Sequence, residues 1–254
     1  MNQRKKKMNL WDQLAFEYDP DSPTKRLWTK PNLWVDLFER GLGDCRRILD
    51  VGCGAGFPGI ALTKKFQVIG LDLSEKMLTI ASKRARDSGA KIILTRADSH
   101  AMPFKDNLFD GAYCKFALWP LRDPKTAIRE MVRVVRPGGK ILIVEVDRKG
   151  RGTDYQSPLR VRIFYLIYRI FKKCIFKRPD TKKIWKELLK ITDKNPVVNL
   201  DLIEETLKDC GCRVVHVERD LKKMTYTAFG KLMSSGHENY FLCISIKGGG
   251  VRDE

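Results

Sequence analysis

The segment Ile-Leu-Asp-Val-Gly-Cys-Gly-Ala-Gly at residues 48–56 constrains the fold of this chain more than any other feature. An apolar run ends at Val51, and the glycines that follow at alternate positions let the backbone pass close to a ligand before a helix begins. Such a turn is typical of parallel α/β domains, which bind nucleotide-bearing molecules at the carboxyl ends of their strands.

The residues around this turn alternate short apolar runs with helical patterns, as consecutive β-α-β units do. Arg136-Pro137-Gly138-Gly139 ends the last of these helices, because proline and glycine both interrupt helical hydrogen bonding. After residue 198 the alternation resumes with a helix that stops at Gly211. Strands are predicted at 47–51, 67–71, 91–95, 111–116, 140–146, 213–219 and 240–246, and helices at 57–65, 74–88, 124–135, 182–191 and 200–209.

Two acidic residues follow the next predicted strands. Asp72 ends the second strand, where a carboxylate can accept hydrogen bonds from both hydroxyls of a ribose. Asp98 follows the third strand and is placed to bind the exocyclic amine of a purine. A glycine-rich turn alone is a weak signal, whereas the turn together with both acids predicts a nucleoside site.

A dinucleotide-dependent dehydrogenase is one alternative, because Gly54-Ala55-Gly56-Phe57-Pro58-Gly59 matches the pattern G-x-G-x-x-G. The position of this pattern relative to the strand disfavours a dehydrogenase. Asp50 would then face a pyrophosphate, which its negative charge repels. An ammonium-bearing ligand without phosphate suits Asp50 better. The chain also lacks a second mononucleotide-binding half.

Motifs spread over residues 44–147 resemble those of the class I S-adenosylmethionine-dependent methyltransferases of the small-molecule type. They are the glycine turn at 50–56, the second-strand end at 71–78, the segments 97–104 and 108–110 beside the fourth strand, and the turn at 133–140. The resemblance implies an α/β fold, a doubly wound, seven-stranded, mostly parallel Rossmann-like sheet in the order 3-2-1-4-5-7-6, with the last strand antiparallel.

The resemblance also implies a set of residues that bind S-adenosyl-L-methionine. By it, Gly52 and Gly54 lie under the methionine moiety, Asp72 binds the ribose, and Asp98 and Ser99 bind the adenine. Residues 11–19 resemble a helix that closes over the cofactor. The complete predicted cofactor set is Tyr18, Asp50, Gly52, Cys53, Gly54, Asp72, Leu73, Met77, Asp98, Ser99, Cys114 and Lys115.

The catalytic residue is left unassigned, because methyl transfer from a sulfonium needs alignment and only sometimes a base. Tyr18 is the weak candidate for a residue that orients or deprotonates the acceptor. Glu145 and Asp147, at the end of the fifth strand, are further candidate bases, and Phe116 and Trp119 are candidate walls of the acceptor pocket. The histidines, at positions 100, 216 and 237, are less favoured as catalytic residues.

Residues 148–198 interrupt the alternation and carry 15 lysines and arginines against 4 acidic residues, within a chain of net charge +18. A helix over 161–176 would place Phe164, Ile167 and Phe171 on one face and Arg162, Arg169 and Lys173 on the other. The segment is predicted to be a helical cap over the acceptor. Four units are expected: an N-terminal helical segment at 1–40, the cofactor-binding core at 41–147, the basic insertion at 148–198, and a C-terminal part at 199–254 that completes the sheet.

The predicted function is methyl transfer to a small or lipophilic metabolite. An RNA methyltransferase would explain the basic insertion, and a non-catalytic cofactor-binding regulatory protein is an alternative of another class. Peripheral contact with an anionic membrane surface is a further hypothesis. No metal site is expected, because the 7 cysteines are scattered and only 3 histidines are present. Without an apolar leader or spanning segment, the predicted location is cytoplasmic.

Overall fold

A computed structural model describes residues 3–18, 29–147, 181–233 and 239–249, with Leu159 and Ile163 as isolated positions. The strands in these ranges are β1 Arg47–Val51, β2 Gln67–Asp72, β3 Ile92–Arg96, β4 Phe109–Lys115, β5 Val135–Asp147, β6 Cys212–Glu218 and β7 Asn239–Lys247. The α-helices are α1 Gln3–Leu14, α2 Pro31–Leu42, α3 Gly59–Leu62, α4 Glu75–Asp87, α5 Pro124–Val134, α6 Lys182–Thr192, α7 Leu200–Asp209, α8 Leu221–Thr225 and α9 Ala228–Met233. A 3-10 helix, Ala15–Tyr18, continues α1.

The strands form a single seven-stranded sheet in the order β3-β2-β1-β4-β5-β7-β6. The pairings among β1 to β5 are parallel, whereas β7 runs antiparallel to both β5 and β6. This order confirms the predicted doubly wound α/β class. The strand order reverses at β1, where the chain crosses from one half of the sheet to the other. In open α/β sheets, ligands bind beside such a point.

Two element boundaries differ from the sequence prediction. The helix expected at 57–65 is only the short α3, because Gln67 already begins β2 and the intervening residues must turn back to the sheet. The fifth strand begins at Val135 instead of 140, since the predicted turn is absorbed as a bulge between its pairings to Phe109 and Gly111. Gly138 takes a φ of 74° in this bulge, a conformation that glycine adopts without strain.

Hydrophobic clusters cover both faces of the sheet. On one face, Leu49 and Val51 of β1 pack in a cluster that includes residues of α5 and α7. On the other, Ile48 packs in a cluster with residues of α2 and with Tyr113. Because successive side chains of a strand alternate between faces, Asp50 lies on the same face as Ile48.

The N-terminal helix α1 packs against α6, which is the described part of the basic insertion. Leu10, Leu14 and Leu188 form the buried centre of this contact, and Trp119 packs at its edge. The helix predicted at 182–191 is therefore present, whereas the apolar and basic faces expected over 161–176 lie outside the described residues except Ile163. None of the described helices is both long and apolar enough to cross a membrane.

Candidate functional site

A cavity of about 380 Å³ lies at the carboxyl ends of β1 to β4, between the strand ends and α1. Its polar end contains the glycine turn and the acids that follow β2 and β3. Its aromatic end is lined by side chains from five separate parts of the chain, namely Trp34, Phe57, Phe116, Tyr226 and Tyr240. Both ends belong to one continuous space.

The glycine turn of β1 forms the floor of the polar end. Gly54 has a φ of 52°, and a Cβ added there would meet nothing nearer than Met77 Sδ at 3.9 Å. The space on that side is the cavity itself. Gly52 has a φ of 73°, and a Cβ there would clash with Ala117 of the loop after β4. The turn thus keeps bare backbone against the cavity.

Asp72 lies directly beside this turn. Its Oδ2 accepts a hydrogen bond of 2.9 Å from the Gly54 amide, and its Oδ1 accepts one of 2.8 Å from the Ser74 amide. Burial raises the pKa of Asp72 above its usual value, although these backbone bonds act in the opposite direction. Each carboxylate oxygen has a second lone pair, so the group can still accept hydrogen bonds from a ligand.

Asp98 and Ser99 line the cavity where β3 ends. Asp98 Oδ1 lies 2.7 Å from His100 Nδ1 and accepts a bond of 3.0 Å from the His100 amide. His100 therefore supports Asp98 and is not among the residues that line the cavity. On the opposite side, α1 brings Lys7 and Met8 to the cavity, and Lys7 Nζ donates to the Pro120 carbonyl at 2.7 Å.

Asp50 lies behind the cavity wall instead of lining it. Its carboxylate is 2% exposed, and neither its Oδ2 nor the Tyr113 hydroxyl makes a hydrogen bond to any other described residue. Burial raises the pKa of Asp50 to about 7. Burial favours the neutral form of an acid, and here it outweighs the opposing effects of Tyr113 and Lys115.

Lys115 ends β4 and reaches into the aromatic end. Its Nζ lies 4.8 Å from the ring centroid of Phe116, 5.0 Å from that of Trp34 and 5.5 Å from that of Phe57. These distances are within the range of cation–π attraction. Phe116 adopts a φ of 56°, which is strained for a residue with a Cβ and turns its ring back over the lysine.

Glu145 fixes the loop that follows Phe116. It is completely buried, and its Oε1 accepts hydrogen bonds from the amides of Leu118 at 2.9 Å and Trp119 at 3.2 Å. Oε2 accepts a third bond, from the Val146 amide at 3.2 Å. These bonds make Glu145 a positioning residue for the loop, since its carboxylate does not line the cavity.

Tyr18 lines the cavity from the 3-10 helix that follows α1. Its ring packs edge-on against Trp11, with centroids 5.8 Å apart. Burial and the nearby carboxylates of Glu17 and Asp72 raise the pKa of Tyr18 above its ordinary value. A phenol of this kind stays protonated near neutral pH, so it suits a hydrogen-bonding role better than that of a base.

Comparison with known proteins shows which proteins this chain resembles. Residues 49–143 match the family model of a methyltransferase domain. The 2-phytyl-1,4-naphtoquinone methyltransferase of Synechococcus elongatus is 34% identical over 166 residues, which are 63% of this chain and 64% of that enzyme. The demethylmenaquinone methyltransferase of Thermus thermophilus is 30% identical over 129 residues, 50% of this chain and 54% of that enzyme. The chain thus matches less than two thirds of the length of either relative.

A solved structure of a SAM-dependent methyltransferase from Aquifex aeolicus shares the fold, with a TM-score of 0.55 and 22% identity over 89% of this chain and 94% of that chain. Residues 49–143 thus match a methyltransferase domain, and the sheet has the fold of a SAM-dependent methyltransferase. These matches favour a methyltransferase over the dehydrogenase alternative.

The predicted cofactor residues converge on one place. All of them line the cavity except Asp50, which stands behind it. Of the candidate bases, Glu145 is occupied by backbone amides, His216 is half-exposed on β6, and residue 237 lies outside the described residues. Phe116 and Trp119 do line the cavity, as expected for walls.

Sequence analysis missed most of the aromatic end. Trp34 comes from α2, Phe57 from the turn before α3, Tyr226 from the end of α8 and Tyr240 from β7. No sequence motif contains these positions together, because they are far apart along the chain and meet only in the folded protein. The tyrosine hydroxyls of positions 226 and 240 lie 2.7 Å apart.

Proposed function

We propose that the protein transfers a methyl group from S-adenosylmethionine to a small, lipophilic, quinone-type acceptor. The observation that carries this proposal is the continuity of the cavity, in which a polar end suited to a nucleoside opens into an aromatic end. A methyl donor and an apolar acceptor need such adjoining compartments, because the reacting atoms must meet in line.

The polar end fits the cofactor by the chemistry of its groups. The free lone pairs of Asp72 would hold the two ribose hydroxyls, and Asp98 with Ser99 would hold the adenine. Gly52 and Gly54 leave room for the methionine part, since a side chain at Gly54 would enter the cavity. The bound cofactor supplies an electrophilic methyl group, and the protein's part is to orient and shield it.

The buried carboxyl of Asp50 supports an ammonium-bearing ligand on the far side of the wall. Its buried Oδ2 has no hydrogen-bond donor among the described residues, which is costly for an ionised oxygen. A positive charge held at the glycine turn would stabilise the ionised form of Asp50 through the intervening backbone. We therefore keep Asp50 in the proposed cofactor set, as a group that acts electrostatically without lining the cavity.

The aromatic end supports a lipophilic acceptor. Its walls are five aromatic rings, which bind planar apolar molecules by stacking and by edge contacts. Two relatives of this chain are named as methyltransferases of a naphthoquinone and of a menaquinone precursor. The aromatic walls and the names of these relatives both support the proposal of a quinone-type acceptor.

The basic insertion is proposed to cap this cavity. Its described helix α6 is linked to the turn that carries Tyr18, since Glu17 accepts hydrogen bonds from Thr181 Oγ1 at 2.6 Å and from Trp185 Nε1 at 2.9 Å. Asn195 Nδ2 donates to the Pro120 carbonyl, which belongs to the cavity wall, at 3.0 Å. These bonds support a cap, because Tyr18, next to Glu17, and Pro120 both line the cavity.

The proposal is tested by following a labelled methyl group. The purified protein is incubated with methyl-labelled S-adenosylmethionine and either reduced naphthoquinones or total RNA, and label is counted in the organic extract and in the RNA. We expect label in the organic extract alone, and none with the Gly54→Val variant. Label in RNA, or cofactor binding without transfer to either acceptor, would contradict the proposal in favour of an RNA methyltransferase or a non-catalytic binding protein.

A further inference from the structure

We infer that the basic insertion acts on the cofactor site through the N-terminal helix, and that Glu17 is the positioning residue that transmits this action to Tyr18. This inference rests on the proposed function and specifies which part of the cavity the insertion controls. It comes from the hydrogen bonds and aromatic contacts that join α6 to α1 and to the 3-10 helix.

The described part of the insertion lies beside the cavity without lining it. None of the residues 181–198 is among those that line the cavity, whereas α1 and the 3-10 helix contribute four of them. These four are Lys7, Met8, Trp11 and Tyr18. An effect of α6 on a bound ligand must therefore pass through a neighbouring element.

The helical state of α1 depends on packing. Its 12 residues include basic ones at positions 4–7, and its first turn has no acidic residue. Positive charges are unfavourable at the amino end of a helix dipole, and a helix this short is marginal in water by itself. The buried cluster of Leu10 and Leu14 with Leu188 of α6 supplies packing that stabilises α1.

Glu17 fixes the 3-10 helix to the beginning of α6. Its Oε1 accepts a hydrogen bond of 2.6 Å from Thr181 Oγ1, and its Oε2 accepts one of 2.9 Å from Trp185 Nε1. Hydrogen bonds to an ionised acceptor are stronger than neutral ones, and a helix dipole also favours a negative charge at this end. Because Tyr18 is the next residue, its position depends on the position of α6.

Tyr18 and Trp11 extend this connection to the cofactor end of the cavity. The Trp11 ring meets the rings of Tyr18 and Trp185 edge-on, with centroids 5.8 Å and 6.0 Å apart. Tyr18 lies close enough to Asp72 for that carboxylate to help raise the pKa of the phenol. Asp72 is the group proposed to bind the ribose. Displacement of α6 would therefore release two side chains from the part of the cavity where the ribose binds.

Docking of α6 and binding of the cofactor are then coupled, and such coupling is reciprocal. We expect S-adenosylhomocysteine to slow amide hydrogen exchange in α6, although no described residue of the insertion lines the cavity. The control is α7, whose Leu200 and Leu207 pack in the cluster on the sheet, and its exchange should not change. Slower exchange that ends at the 3-10 helix and leaves α6 unchanged would overturn the inference.

Variants of Glu17 test the same connection through affinity. Calorimetry with S-adenosylhomocysteine and no acceptor should show about 5- to 150-fold weaker binding by Glu17→Ala, the usual range for coupled sites. Glu17→Gln should lose less, because its amide oxygen still accepts the bond from Trp185. Trp185→Phe, which keeps a ring without the N–H, should also lose less. In a Tyr18→Ala background, Glu17→Ala should cause no further loss, since its effect passes through Tyr18.

A second contact between the same two helices provides the matched control. Glu187→Ala breaks the exposed ion pair with Lys6 Nζ, which is 2.6 Å long, and should leave the affinity unchanged. A lower melting temperature of Glu17→Ala with unchanged affinity, or an additive loss in the Tyr18→Ala background, would overturn the inference while cofactor binding persisted. Failure of the unmodified protein to bind S-adenosylhomocysteine would overturn the proposed function itself.

Discussion

The amide of Gly54 donates a hydrogen bond of 2.9 Å to Oδ2 of Asp72, so the carboxylate proposed to bind the ribose also fixes the glycine turn. Asp72→Ala removes both contributions. We expect it to weaken the binding of S-adenosylhomocysteine by about 1.5–3 kcal/mol, the range for hydrogen bonds to a charged group. Asp72→Asn should lose less, because its amide oxygen still accepts one backbone bond.

Calorimetry on the folded variants measures this effect. Asp87→Ala, at the exposed end of α4, is the matched control and should leave the affinity unchanged. Equal affinity of the Asp72→Ala variant and the unmodified protein would remove Asp72 from the proposed site.

Gly54 and Gly89 provide a test of steric exclusion from the cavity. Both have a positive φ, 52° and 66°, so an added side chain strains the two backbones alike, by about 1–2 kcal/mol. Only the side chain at Gly54 would enter the cavity. Gly54→Val should abolish detectable cofactor binding, whereas Gly89→Val should lower the melting temperature without changing affinity. Similar affinities for the two variants would mean that the cofactor does not lie against Gly54.

Glu145 should contribute to stability and to the shape of the acceptor site. Glu145→Ala leaves the amides of Leu118 and Trp119 without their buried acceptor, and each such donor costs about 1–3 kcal/mol. Urea unfolding should show a loss of at least that size, with a smaller loss for Glu145→Gln, which keeps an acceptor oxygen. A loss under about 0.5 kcal/mol would show that the loop has other support.

The raised pKa of Asp50 predicts that the free energy of unfolding depends on pH. Burial raises its pKa in the folded protein to about 7 from the ordinary value of 3.8. Its stability contribution is therefore fully present below about pH 4 and is lost as the pH rises toward 7. Asp50→Asn should be more stable than the unmodified protein at pH 8, by up to roughly 4 kcal/mol, and the difference should shrink at pH 5. Urea unfolding at both values checks this, and a constant difference would contradict the buried neutral acid.

The sequence allowed the alternating strands and helices and the polar end to be predicted from local patterns, whereas the sheet order was implied by the family resemblance. The apolar run that ends in glycines at 52, 54 and 56 specifies a strand and a close-approach turn wherever it occurs. Asp72 and Asp98 follow strands, and parallel strands bring their carboxyl ends to one edge. These positions could be placed together without knowing any tertiary contact.

The aromatic end could not be predicted in the same way. Trp34 and Tyr240 meet with ring centroids 6.5 Å apart although they come from α2 and β7. That contact depends on β7 inserting between β5 and β6, which positions the end of the chain beside its beginning. Asp50 lies behind the cavity wall, since strand alternation turns its side chain toward Tyr113, so its predicted part in cofactor binding stays a prediction.

A crystal structure of the protein with S-adenosylhomocysteine and 2-hydroxy-1,4-naphthoquinone tests most directly whether one cavity holds both substrates. We expect the ribose hydroxyls within hydrogen-bond distance of the Asp72 carboxylate, the adenine beside Asp98, and the naphthoquinone among the aromatic walls. A cofactor bound away from Asp72, or a naphthoquinone bound outside the cavity, would contradict the division into a polar and an aromatic end.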